Sequence, residues 1–264
     1  MKTWILFLAS LMALNVSASD AITDNSLDVQ TVTQFDGIPW GISIINDQEA
    51  IVTIKKGAAY KVDLTTGKKL ALTGLPDVDK RGQGGLLDVA LDPDFENNGM
   101  IYMSYAKDEG KGQARTAVAK GKLSGNKLTD LKTIWQQAQT EKGGYHFGSR
   151  LVFDSKGYLF VTTGDRNFRK EDAQNLSTHF GKIIRIDTEG QAVKDNPFIN
   201  NKDALSDIFS YGHRNVQGAY LHPDTAALWI NEHGPRGGDE INRIEAGKNY
   251  GWPKITYGIN YNGT

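Results

Sequence analysis

The chain of 264 residues carries 30 Lys and Arg against 31 Asp and Glu, a net charge of -1, with 39% apolar residues and no cysteine. Near-neutral charge without a basic run excludes an electrostatic nucleic-acid binder, while the apolar content suffices for a packed core. The lack of cysteine excludes thiol catalysis, disulfides, thiolate zinc sites and iron–sulfur clusters, which leaves His, carboxylates, Arg, Lys, backbone groups or a bound cofactor for any chemistry.

Residues 1–18 read as a secretory signal peptide: a basic start at Met1-Lys2, an apolar run over 4–16 and small residues at Val16-Ser17-Ala18. The run is too short to span a bilayer, which takes about 20 residues, so export without a membrane span is expected, most simply into a bacterial periplasm. Residues 19–264 then form one all-β domain. Runs rich in Val, Ile, Tyr, Phe and Trp, bounded by Gly, Asp, Asn and Pro, predict strands over 49–54, 58–64, 99–105, 116–123, 158–163, 182–187 and 227–231. The polar stretches 106–112 and 191–205 read as a hairpin tip and a surface insert.

A unit of strand end, tight turn and aromatic-bearing strand recurs. It is visible at Leu91-Asp92-Pro93 before Gly99-Met100-Ile101-Tyr102, at Phe153-Asp154-Ser155 before Gly157-Tyr158-Leu159-Phe160, and at Leu221-His222-Pro223 before Ala226-Ala227-Leu228-Trp229. Ile45-Asn46-Asp47 is a fainter copy. With Asp47, Asp92, Asp154 and His222 as markers the spacings are 45, 62 and 68 residues, which fit propeller blades of roughly 40–50 residues, two of them carrying inserts. A β-propeller is therefore expected over a sandwich.

Four Gly-rich polar loops mark where the chain must approach a ligand closely. They are Arg81-Gly82-Gln83-Gly84-Gly85, Gly143-Gly144-Tyr145-His146-Phe147-Gly148-Ser149-Arg150, Tyr211-Gly212-His213-Arg214-Asn215-Val216-Gln217-Gly218, and Asn231-Glu232-His233-Gly234-Pro235-Arg236-Gly237-Gly238-Asp239-Glu240. The last joins backbone carbonyls to carboxylates, an oxygen-rich set suited to calcium. His146, between glycines, is the best general base. The other histidines (His179, His213, His222 and His233) and Trp40, Trp135, Trp229 and Trp252 read as structural.

These segments, with Asp92-Pro93-Asp94-Phe95, Gly164-Asp165 and Asp239-Glu240-Ile241-Asn242, run from about Phe35 to Pro253 in the order found in the soluble pyrroloquinoline-quinone-dependent glucose and aldose sugar dehydrogenases, which the chain resembles. The resemblance implies a six-bladed propeller, present here as roughly four blades, that oxidises the C1 hydroxyl of an aldose to a lactone by hydride transfer to the quinone. It implies His146 as the base, Gln83, Arg214 and Asn215 as cofactor contacts, the carbonyls of Gly234 and Pro235 as ligands of a calcium that acts as Lewis acid, and Glu240 and Tyr250 as ligands of a second, structural calcium. Tyr145 stands where the glucose branch has Asp, which brings the chain nearer the aldose branch. The family's later Lys and Arg pair for the cofactor is expected beyond Thr264. An electron acceptor is implied but not named, and a monomer or dimer is expected. Two other readings stay open: a hedgehog-interacting type of binding module on the same scaffold, and a calcium-dependent lactonase.

Overall fold

Alternation of apolar and polar residues between Gly, Asx and Pro turns places the chain in short antiparallel strands, and the computed structural model, described for residues 29–261 and 263, shows sixteen of them. The expected signal peptide, residues 1–18, lies outside the described residues. No helix among the described residues is long and apolar enough to cross a membrane. Within the unit Thr33–Thr264 the strands form four sheets, each built in chain order.

The first sheet contains β1 (Pro39–Asn46), β2 (Glu49–Ile54), β3 (Ala58–Asp63) and β4 (Lys69–Ala71). The second contains β5 (Leu86–Leu91), β6 (Met100–Asp108), β7 (Gln113–Ser124) and β8 (Lys127–Gln136), with β9 (Glu141–Lys142) paired to the start of β7. The third contains β10 (Leu151–Phe153), β11 (Leu159–Thr162), β12 (Lys182–Ile186) and β13 (Ile208–Tyr211), and the fourth β14 (Val216–Leu221), β15 (Leu228–Glu232) and β16 (Glu240–Ile244). The first strands of successive sheets, β1, β5, β10 and β14, pack side by side. The sheets are thus four blades of a β-propeller.

The core lies between blades. Ile51, Ala59 and Leu72 of the first blade meet Leu86, Ile101, Met103 and Ala117 of the second; Tyr102, Val118 and Trp135 of the second meet Leu159, Val161 and Ile184 of the third; Phe160 and Ile183 of the third meet Leu228, Ile230 and Ile244 of the fourth. Each blade therefore needs its neighbour to bury its apolar face, the usual logic of a repeat architecture. Polar ties reinforce these seams. On the inner side, Arg150 donates to Asp88 Oδ1 (3.2 Å), to Gln217 O (2.5 Å) and to Trp40 O (3.4 Å), and so links the inner segments of all four blades. Burial pushes the Asp88 carboxyl up, opposed by the Arg150 charge.

The recurring sequence unit marks one structural place. Asn46, Asp92, Asp154 and His222 each occupy the turn between the first and second strands of a blade, where a side-chain acceptor takes a backbone N–H two residues on: Asn46 Oδ1 from Gln48 (2.8 Å), Asp92 Oδ1 from Asp94 (3.0 Å), Asp154 Oδ1 from Lys156 (2.8 Å) and His222 Nδ1 from Asp224 (3.3 Å). In the first blade the marker is thus Asn46 rather than the neighbouring Asp47. The polar stretch 106–112 is only partly a loop, because β6 runs through Asp108 and the tip is confined to residues 109–112.

A second polar tie joins blades two and three: Asp207 accepts from Trp135 Nε1 (2.8 Å) and from His179 Nε2 (2.9 Å), while His179 Nδ1 accepts the N–H of Ala138 (2.9 Å). Burial acts to raise the Asp207 pKa, but the hydrogen bonds and charge of His179 and the indole outweigh it and hold the carboxyl below the usual range. A carboxylate with a depressed folded pKa contributes stability above its unfolded pKa of about 3.9 and loses it as pH falls through the folded value. Asp207→Asn is therefore expected to lower the urea midpoint at pH 7 and to flatten its fall below about pH 4; an acid limb as steep as that of the unaltered protein would contradict this role.

Candidate functional site

In an antiparallel blade whose first strand runs away from one end of the propeller, the connections from second to third strand, and from the outer strand to the next blade's inner strand, return to that same end. Segments 79–85, 143–150, 163–181, 212–215 and 233–239 are all of these two kinds. The four Gly-rich loops thus share one end of the propeller, opposite the Asx turns of the repeat.

At this end sits His146, 7% exposed, with a left-handed φ of 47°. Its Nδ1 lies 2.6 Å from Asp165 Oδ1. Asp165 also accepts from Trp252 Nε1 (2.8 Å, at Oδ2) and from the N–H of Asn167 (2.7 Å, at Oδ1), the acceptor-only pattern of an ionised carboxylate. The proton of the His146–Asp165 bond is therefore assigned to Nδ1, which in the neutral ring leaves the lone pair on Nε2. That is the arrangement a general base requires.

The backbone around His146 is gripped from several sides. Gln83 accepts the N–H of His146 at Oε1 (2.7 Å) while its own N–H donates to Gly144 O (2.6 Å). Gly82 and Gly144 stack backbone to backbone, and a Cβ at Gly164 would collide with the His146 carbonyl. His146, Ser149, Arg166 and Asn167 are four of the seven non-glycine residues with left-handed φ among the described residues, so backbone strain is concentrated here, as at functional sites generally.

Arg214 and Asn215 enter from the next connection. The N–H of Asp165 donates to Arg214 O (2.9 Å), and Asn215 Oδ1 accepts from Gly148 N–H (3.3 Å), so this loop is fastened to the His146 loop. Arg214 Nη1 donates to His233 O (3.0 Å), its guanidinium faces the Trp252 ring at 5.3 Å, and its buried Nε has no hydrogen-bond partner among the described residues. Asp165, Asn167, Lys170, Arg214, Pro235 and Trp252 border a cleft of about 230 Å³. An unused guanidinium donor and a lysine at a polar cleft suit an anionic ligand, with carboxylates the natural complement of Arg.

Of the expected calcium ligands, Pro235 lines this cleft, and Gly234 and Glu240 line a narrower one beside it with Arg214 and Trp252. A Cβ at Gly234 would strike the carbonyl oxygens of Gly237 and Gly238, so the loop folds its backbone oxygens inward on itself. Glu240 and Tyr250 are engaged separately: Glu240 Oε2 accepts from Asn242 Nδ2 (3.0 Å), and the Tyr250 hydroxyl donates to Arg243 O (2.7 Å) and accepts from Glu245 N–H (2.8 Å).

Sequence reasoning missed three contributors. Trp252, read as packing, is the indole donor to Asp165. Asp165 stood in the Gly164-Asp165 motif without a role, its only signal being its place beside a glycine in a polar loop. Glu232 accepts from Arg214 N–H at Oε2 (2.6 Å) and lies 2.9 Å from His213 Nδ1 at Oε1. Ser210, His213 and Glu232 are aligned like a hydrolytic triad, yet Ser210 and His213 are wholly buried, so the group fixes the Arg214 loop and offers no nucleophile.

A family model described as glucose/sorbosone dehydrogenase matches residues 36–264. The aldose sugar dehydrogenase YliI of Escherichia coli is 46% identical over 228 residues, covering 85% of this chain and 61% of that protein. The solved apo form of the soluble aldose sugar dehydrogenase from Escherichia coli aligns with a TM-score of 0.82 at 45% identity, and the PQQ-bound aldose sugar dehydrogenase from Streptomyces coelicolor with 0.74 at 32%. Each alignment covers 86% of this chain and 66% of the other. The chain thus spans less than two thirds of the length of these relatives.

Gly164→Ala is expected to cost about 1–3 kcal/mol in urea unfolding, because the new methyl must displace the His146 carbonyl. A cost under about 0.5 kcal/mol, the level of an ordinary surface change, would show that the loop yields freely.

Proposed function

The chain belongs to the glucose/sorbosone dehydrogenase family, and from that premise we propose that it is the larger part of an exported dehydrogenase that oxidises aldoses at C1 to lactones with pyrroloquinoline quinone and calcium. The observation that carries this reading is the His146–Asp165 pair, whose carboxylate also borders the cleft that holds Arg214 and Lys170. Pyrroloquinoline quinone supplies the two-electron acceptor for the C1 hydride, and calcium the charge that anchors and polarises it. The protein's part is binding, orientation and proton removal.

Arg214 and Lys170 face the cleft and are suited to the carboxylates of the cofactor, with Arg214 held by His233 O and by Glu232 through its own N–H. Asn215 and Gln83 keep the two neighbouring loops at fixed spacing. The carbonyls of Gly234 and Pro235 would hold the calcium at the cofactor; among the described residues no three His, Asp or Glu side chains gather as metal ligands, so backbone oxygens have the leading part in this assignment. Glu240, whose Oε2 takes one hydrogen bond from Asn242, and Tyr250, whose hydroxyl is engaged by Arg243 O and Glu245 N–H, would serve a second calcium. At His146, Nε2 accepts the C1 hydroxyl proton, and Asp165 stabilises the imidazolium that results. Tyr145, half-exposed beside His146, gives the substrate side of the site an aromatic surface in place of a carboxylate. Four blades within about two thirds of a relative's length accord with a six-bladed ring in the whole protein. The leader over residues 1–18 directs it to the periplasm.

Reconstitution tests the proposal. With quinone, calcium and a panel of aldoses, a version carrying the remaining third is expected to reduce a dye acceptor, the present chain to do so more slowly, and His146→Ala to lose about 10²–10⁴-fold in rate. An inactive longer version, or an unimpaired His146→Ala, would contradict the assignment.

A further inference from the structure

Arg166 follows Asp165 directly and is 1% exposed, yet its guanidinium makes no hydrogen bond to a carboxylate. Nε donates to Tyr145 O (2.8 Å), Nη2 to Gly143 O (2.8 Å) and Nη1 to Ala114 O (2.9 Å), while the guanidinium lies 3.8 Å from the centre of the Phe147 ring. Two acceptors thus precede His146 in the chain, the stacked ring follows it, and the third acceptor belongs to β7 of the second blade. Burial pulls the guanidinium down to about 10, which leaves it protonated at neutral pH.

A buried cation is a costly way to fill space, and an apolar side chain of similar volume is often as stable or more so. What an apolar residue cannot supply is a planar fork that fixes several carbonyls at once. Two of the carbonyls fixed here, those of Gly143 and Tyr145, belong to the segment that leads directly into the left-handed His146. Arg166 is itself left-handed, with φ 53°, so the Asp165–Arg166 turn is shaped to send the carboxylate to the His146 ring and the guanidinium to its backbone.

We propose that Arg166 is a positioning residue for His146, which clamps the backbone ahead of it at Gly143 and Tyr145 and stacks on the Phe147 ring after it, so that Nδ1 meets Asp165. This rests on His146 being the base, but its test does not need the cofactor. Three buried imidazole–carboxylate pairs, His146–Asp165, His179–Asp207 and His213–Glu232, each hold a ring N–H that should give a far-downfield proton resonance. The His146 signal is identified by its loss in His146→Ala. In Arg166→Met, without added cofactor, this signal alone should vanish or exchange with solvent at least about tenfold faster, as a selectively opened segment does. Retention of all three signals overturns the proposal, and so does their loss together, which marks a merely structural role. If Arg166→Met does not fold, Arg166→Lys, which keeps the charge but not the fork, decides by the same readout: selective weakening supports the clamp and three intact signals overturn it. Selective loss in a chain that oxidises no sugar on reconstitution would leave the clamp standing and remove the proposed activity.

Discussion

His146 is held at a left-handed φ of 47°, a conformation that costs a non-glycine residue about 1 kcal/mol or more, and the site exists only because its surroundings sustain that strain. Gln83 binds the N–H of His146 and the carbonyl of Gly144, Arg166 binds carbonyls at 143 and 145, and Gly82, Gly144 and Gly164 allow the backbones to touch. The result is an imidazole whose protonated nitrogen is committed to Asp165 and whose other nitrogen is available. A relaxed backbone at this residue would turn the ring away from Asp165 and leave the carboxylate paired only with Trp252 and Asn167.

The propeller supplies the rigidity that makes such a loop possible. Because each apolar seam is shared by two blades, and Arg150 and Asp207 tie the seams with polar contacts, the loop anchors cannot drift independently. Connections from three blades then converge at one end: Gln83 before β5, His146 before β10 and Asp165 after β11, and Arg214 before β14. The inserts that stretched the last marker spacing to 68 residues include the Asp165–Gly181 connection and the 187–207 excursion. The blade is the repeat and the site is built from departures from it.

That division explains what could be read from the sequence. The strand rhythm and the turn markers were legible because Asx turns and β-branched runs are local patterns, and they specify the end of the propeller opposite the Gly-rich loops. His146, Gln83, Arg214 and Asn215 were legible as polar residues in Gly-rich loops, where close backbone approach leaves a mark, while the individual roles of Gln83, Arg214, Asn215 and Pro235 came from the family resemblance. Trp252 and Glu232 were not, because their roles arise from contacts 87 and 18 residues away in the chain, and nothing local separates a tryptophan that donates to Asp165 from one that fills a seam. The predicted runs left out β4, β8, β9, β13 and β16 and reached β1, β5, β10 and β14 only at their ends in the repeated unit; β8 and β16 mix exposed and more buried positions and lack a continuous apolar signature.

The proposed chemistry turns on where the proton sits on one imidazole. The ¹⁵N shifts of His146 in labelled protein at neutral pH report it directly: the account predicts a protonated Nδ1 and an unprotonated Nε2, with the Nδ1 proton lost or displaced in Asp165→Ala. The proton on Nε2, with Nδ1 bare, would contradict it, for the nitrogen left free to act as base would then be the one turned toward Asp165.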